Sequence, residues 1–212
     1  MVEHLSNRKT AVQIRPSRSI FRVEDTLARR EIAMFINLFH SYISWADRPS
    51  RKLYWALREN GALVGAFGLG SCFHRPKAVA NFMREHNLGF NEVGNNIVFC
   101  LQGAEKNAGS AFLALCRRDA VAWWKTRYGD DLRAFQSFVL PPRTGAVYKA
   151  DNWRLVGETS GNPQKVRTLR SNDPIPKGAH VERRVFASGE VRLLMREQAT
   201  QETPKLIFMR LA

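Results

Sequence analysis

Apolar residues along this chain change their spacing several times, and each change marks an element. Across residues 26–39, Leu27, Ile32, Phe35, Ile36 and Phe39 recur at near-helical intervals, which predicts a helix. Residues 53–58 and 62–69 are strand-like runs joined through Asn60-Gly61, a dipeptide that favours a two-residue hairpin turn because both positions take positive φ. Residues 76–86 read as a second helix, ended by Leu88-Gly89. The apolar run 95–101 predicts a strand, 110–128 a helix of about five turns at 1.5 Å rise per residue, and 134–140 another strand. Beyond Pro141-Pro142 comes a short aromatic-rich helical turn holding Tyr148, then a short strand over 154–158. Residues 181–186 and 190–195 flank Ala187-Ser188-Gly189 as a hairpin, and 205–211 form a final apolar strand. Residues 161–177 are polar and proline-containing, and read as an exposed basic loop. The order of elements is that of an α+β chain with a mixed central sheet flanked by helices.

Composition narrows the class. At 212 residues and 44% hydrophobic content the chain suits one domain over 26–212, preceded by a polar, basic arm or edge segment over 1–25. A formal net charge of +14 brings self-repulsion that a compact domain does not need, so a polyanionic partner is expected. Nucleic acid is favoured over a membrane, because no basic amphipathic surface helix and no apolar run of about 18 residues is present. The N-terminus lacks the apolar stretch of a signal peptide, which points to the cytoplasm. Cys72, Cys100 and Cys116 are odd in number and widely spaced, and read as reduced core thiols; the five histidines are scattered, with no zinc-ligand spacing.

The candidate chemistry lies between residues 95 and 161. The strand over 95–101 empties into Lys106-Asn107-Ala108-Gly109-Ser110-Ala111, which opens the long helix. Helix N-termini carry unpaired N–H groups and partial positive charge, so small residues there let a phosphate approach, with Lys106 adding charge and Ser110 a hydroxyl. Asn107 or Ser110 acting only as a helix cap is the other reading. The turn resembles the pyrophosphate loop of GNAT acyltransferases, with lysine in the first position. Strand, glycine turn, helix, strand and aromatic turn also follow one another as in that fold. In the long helix, Trp123 or Trp124 is expected in the core, Arg117 and Arg118 face solvent or phosphate, and Asp119 pairs with one of them.

The NAGS turn, the RRDAVAWW stretch, FVLPPRTG, and above all YKADNW followed by GETSG resemble the Mom proteins of Mu-like phages. The resemblance covers about residues 30–165. It implies a GNAT-like fold and conversion of adenine in double-stranded DNA to N6-carbamoylmethyladenine, which shields phage DNA from host restriction enzymes. That family's histidine-tyrosine element would correspond to His40 and Tyr42, here separated by Ser41. Adenine N6 is a poor nucleophile, so its proton must be taken and the acceptor carbonyl stabilised. Asp151 or His40 is the candidate base, Tyr148 the group that protonates the leaving group, and Ser110 a contact to the donor. Core packing is the alternative for Tyr148 and Trp153, and a helix-terminal position against the dipole the alternative for His40. A target adenine would flip out of the duplex, with Tyr42, Trp45 and Trp153 stacking on it and Asn152 reading its edge. Arg48, Arg51, Lys52, Arg143, Lys165, Arg167 and Arg170 would grip phosphates.

The donor stays open at this stage. Acetyl-CoA fits the loop but lacks the amide nitrogen of a carbamoylmethyl group; glycyl-tRNA supplies it by atom count, since N6-glycyl and N6-carbamoylmethyl adenine are isomers. Iron assisting a rearrangement, with His40 and Tyr148 as ligands, is compatible with the chemistry but has no ligand motif behind it. A homodimer is admitted. The rival readings are an acetyl-CoA-dependent N-acetyltransferase acting on a protein or small amine, and a non-catalytic nucleic-acid-binding protein on the same fold.

Overall fold

The computed structural model describes residues 17–40, 51–73, 76–161, 164–169, 175, 180–185, 190–198 and 203–212. In chain order these form β1 (Arg18–Arg22), α1 (Thr26–Phe39), β2 (Lys52–Glu59), β3 (Ala62–Ser71), α2 (Lys77–Glu85) and a 3₁₀ turn (Phe90–Glu92). Then follow β4 (Val93–Leu101), α3 (Ala108–Tyr128), β5 (Ala134–Val139), α4 (Ala146–Ala150), β6 (Arg154–Glu158), β7 (Gln164–Leu169), β8 (His180–Val185), β9 (Val191–Gln198) and β10 (Leu206–Leu211).

Seven strands make one sheet in the order β1-β2-β3-β4-β5-β10-β6, and β7-β9-β8 make a second, three-stranded sheet. Every neighbouring pair is antiparallel except β4 and β5. Side chains alternate across a strand, so the inner strands β2, β3, β4, β5 and β10 each feed two cores. Trp55, Leu57, Phe67, Leu69 and Phe135 pack with Phe112, Leu113, Cys116, Trp123 and Trp124 of α3 and Tyr148 of α4. On the opposite face, Ala56, Ala66, Val98 and Cys100 cover Ile32, Phe35 and Ile36 of α1, while Ala134, Ile207 and Met209 cover Val79 and Phe82 of α2. Helices therefore sandwich the sheet two by two. Both Trp123 and Trp124 are buried, and the three cysteines are free and buried. Among the described residues no helix is long and apolar enough to cross a membrane.

Local chemistry accounts for the boundaries. Asp25 caps α1 by accepting from the Ala28 N–H at 2.8 Å, a bond worth about 1 kcal/mol. Asn60 and Gly61 take φ of 51° and 82°, the paired positive values that the hairpin needs. Arg18–Arg22, the end of the basic segment, takes the edge alternative as a strand held along β2. Two expectations are corrected. The basic stretch expected as a loop contains β7, paired with β9, because main-chain pairing does not need an apolar alternation. Finally, α3 begins at Ala108, two residues before the expected start, so the small residues belong to its first turn.

One departure from a regular sheet creates the site. The parallel pairing of β4 with β5 joins only Val93–Asn96 to Ala134–Ser137. Beyond that point β4 stays on β3 as far as Leu101 and β5 stays on β10 as far as Val139, so the two strands part. A register shift between Gly68 and Leu69 makes Ile97 an extra residue on β4, a bulge of the kind that bends a strand and re-aims its side chains.

Candidate active site

Between the parted strands lies a cavity of about 380 Å³. His40 at the end of α1, Asn96 and Phe99 of β4, Ser137 of β5, Arg143 of the following loop and Tyr148 of α4 reach it. The strands thus join, in one wall, residues from both faces of the sheet.

Tyr148 is buried and donates its hydroxyl proton to Asn96 Oδ1 at 2.6 Å. Its ring stacks on Phe208, centroids 5.6 Å apart, and meets Trp153 edge-on. Gly145 starts α4 at φ 70°, and a Cβ there would lie 2.4 Å from the Phe208 ring, so only glycine lets α4 come this close to β10.

Asp151 belongs to a different environment. It is buried, accepts from Arg117 Nε at 3.0 Å and Nη2 at 3.4 Å, and accepts from the Trp153 indole N–H at 2.9 Å. Arg210 also reaches it, donating to its backbone carbonyl and standing 3.9 Å from Oδ1. Asp151 does not line the cavity. Its carboxylate is committed to an ion pair that ties α4 to α3 and β10, which removes it from the proton-transfer role expected of it. Trp153 is likewise buried in the core beside Phe135, not presented for stacking on a base. Asn152, exposed at φ 57°, closes α4 with its backbone N–H on Lys149 O at 3.0 Å and is outside the cavity. Arg117, expected at the surface, is the buried partner of Asp151; Asp119 pairs with Arg22 at 2.7 Å and with the Trp55 indole at 2.8 Å rather than with a neighbouring arginine.

His40 is half-buried, and burial, then the positive charge of Arg143, lowers its pKa below the ordinary 6.5. Its imidazole is therefore neutral at neutral pH and able to accept a proton. At the start of α3, Ala108 is buried, Lys106, Asn107 and Ala111 are exposed, and Ser110 Oγ donates to Asn107 O at 3.4 Å. Asn107 takes φ 64° and makes no side-chain cap bond, so the capping alternative does not describe it. A Cβ on Gly109 would lie 2.9 Å from Leu101 Cδ1, so the turn is packed directly on the end of β4. Ser110 and the turn stand outside the cavity lining.

Of the expected phosphate contacts, Arg143 lines the cavity. Arg51 is paired with Asp130 and lies over the Tyr128 ring, and the backbone of Lys52 exchanges two hydrogen bonds with the Tyr128 hydroxyl. Lys165 and Arg167 lie on β7. Tyr42, Trp45, Arg48 and Arg170 lie outside the described residues. Among the described residues no group of three or more His, Cys, Asp or Glu side chains gathers as a metal site. Asn96 and Ser137 were not singled out from the sequence, and Arg117 was expected only at the surface or on phosphate. The available signal was an asparagine inside an apolar strand, which must find partners once buried.

No protein-family model matches the sequence, and no curated protein does. Solved structures do match. Arabidopsis thaliana NAA60 with acetyl-CoA superposes with a TM-score of 0.53 at 10% identity, covering 92% of this chain and 100% of that one. The same protein with a bisubstrate analogue gives 0.52 at 11%, covering 91% and 98%. Mosquito arylalkylamine N-acetyltransferase like 5b gives 0.52 at 8%, covering 92% and 100%. With the parted β4 and β5, the glycine turn into α3 and the helix pairs on either face, the chain has the GNAT acetyltransferase fold.

Proposed function

We propose that this protein transfers an acyl group from a thioester to an amine, and that the amine is the exocyclic N6 of adenine in double-stranded DNA. The observation that carries the reading is the cavity where the strands part, lined among the described residues by His40, Arg143 and neutral polar groups and by no carboxylate. An alkylamine is mostly an ammonium ion near neutral pH and must lose a proton before it can attack. Adenine N6 is already neutral and its nucleotide is flanked by phosphates, which suits a neutral imidazole beside an arginine. The net charge of +14 and the YKADNW…GETSG resemblance support the same acceptor.

The turn at the start of α3 suits the pyrophosphate of a CoA thioester: the helix N-terminus offers backbone N–H groups, and the exposed Lys106 and the Ser110 hydroxyl add charge and a donor. Such a donor supplies an activated carbonyl. In the transfer the N6–carbon bond forms, the carbon–sulfur bond breaks, N6 loses one proton and the sulfur gains one. His40, kept neutral by burial and by Arg143, takes the N6 proton. A base in a duplex does not reach such a cavity, so the adenine flips out. Glycyl-tRNA contains the atoms of the carbamoylmethyl group and is the second donor to test.

The competing reading, N-acetylation of a protein or small amine, draws on the names of the matched structures, one of which is an arylalkylamine N-acetyltransferase. Mass spectrometry of nucleosides from DNA of expressing cells separates the two. The expected result is deoxyadenosine heavier by the transferred acyl group: acetyl from acetyl-CoA, or glycyl, isomeric with carbamoylmethyl, from glycyl-tRNA. An unmodified profile together with CoA release on a small amine would establish the competitor instead.

A further inference from the structure

Asn96 is the most constrained polar side chain at the cavity. Its Nδ2 donates to Gly68 O at 2.9 Å and to Val98 O at 2.6 Å, spanning the bulge at Ile97. With both donors given to carbonyls, the amide has one orientation, and Oδ1 faces Tyr148 Oη at 2.6 Å and Ser137 Oγ at 3.5 Å. An amide oxygen only accepts. The Tyr148 proton therefore lies on the Asn96 side, and a tyrosinate at that position would face the Asn96 lone pair.

We propose that Asn96 is a positioning residue that holds Tyr148 neutral with its proton turned away from the reacting atoms, so that Tyr148 serves acyl transfer as a hydrogen-bond acceptor for the incoming N–H. It does not act as the proton source for the departing sulfur. This rests on the acyl-transfer reading above. The net proton balance is unaffected: the proton lost by the amine passes to His40, and the sulfur takes one from His40 or solvent. The charged groups around α4 are Lys149 on α4 itself, exposed to solvent, the Asp151–Arg117 pair with Arg210 at its end, and His40 and Arg143 along the cavity. All of them remain when Asn96 alone is changed.

Two measurements test the proposal. In protein labelled with carbon-13 at the tyrosine ring, the Tyr148 signal is the one of four tyrosines that disappears in Tyr148→Phe. Wild-type Tyr148 should stay un-ionised above the usual tyrosine range of about 10. In Asn96→Ala it should ionise about one pH unit lower, and in Asn96→Asp higher than in wild type. Ionisation of wild-type Tyr148 below the usual range overturns the proposal, even if Asn96→Ala fails to fold. The second measurement is a double-mutant cycle in acyl transfer. Asn96→Ala should lower kcat about tenfold or more with KM for the thioester changed less than about twofold, and should have no further effect in Tyr148→Phe. Additive losses would mean that Asn96 merely supports the bulge. If wild type shows no transfer at all, the functional reading fails, while the titration still decides the role of Asn96.

Discussion

Tyr148 on α4 and Asp151 at its C-terminal cap stand three residues apart, and their surroundings divide their work. Tyr148→Phe removes one hydroxyl and a hydrogen bond worth about 1 kcal/mol, so melting should shift by a few degrees while transfer falls about ten- to a hundredfold. Asp151→Asn leaves the buried Arg117 guanidinium facing a neutral amide, which costs about 3–5 kcal/mol. At 2–4 °C per kcal/mol for a chain of this length, that variant should melt roughly 10 °C lower. Activity and melting measured on the same preparations check both, and equal melting of the two variants would refute the assignment. His40 is argued at the same scale. Its pKa is depressed by burial and by Arg143, so the neutral base persists as pH falls through 6.5, and the acid limb of the rate profile should lie below that value. Arg143→Ala, by removing the nearby charge, should move the limb upward. A wild-type limb above 6.5 would contradict His40 as the base.

At the level of elements, the glycines that begin and end helices are not equivalent. Gly145 combines φ 70° with a ring 2.4 Å from where a Cβ would stand, whereas Gly129, after α3, has φ 81° and open space. Gly129→Ala should cost about 1 kcal/mol from the left-handed backbone alone. Gly145→Ala should cost at least about twice that, and should also reduce transfer, because Phe208 stacks on Tyr148. Denaturant unfolding of both variants checks the contrast. The edge strand β1 offers a second test. Asp119 of α3 holds Arg22 of β1 and the indole N–H of the buried Trp55, so Asp119→Ala leaves that N–H without its partner, at a cost of about 1–3 kcal/mol. Faster amide exchange in β1 should accompany it.

For the whole molecule the dominant quantity is charge. A chain at +14 that neutralises several phosphates should lose affinity for duplex DNA with a log–log salt slope of about −0.9 per contact. Binding titrations between low and moderate salt measure that slope directly. Charge reversal at Arg167, on β7, should weaken binding to all sequences alike, because phosphate contacts carry no base information. A flat salt response would remove DNA as the partner without touching the fold.

The period of the apolar residues was enough to locate α1, the β2–β3 hairpin, β4, α3 and β5, because each buries a regular face and such faces leave a local signature. The Asn60-Gly61 turn was legible for the same reason: its backbone demand is met within two residues. Burial of Asp151 against Arg117 was not legible, since 34 positions separate the partners and a carboxylate in a turn looks the same whether paired or free. The place of Trp153 in the core, the strand pairing of β1 and β7, and the Asn96–Tyr148 contact likewise depend on which surfaces meet. Sequence alone determined the alternation of elements, the glycine turn and the excess of positive charge. Only tertiary structure decided which polar groups face the cavity and which lock the fold, because the cost of burying a charge or an amide is set by partners that the local chain does not contain.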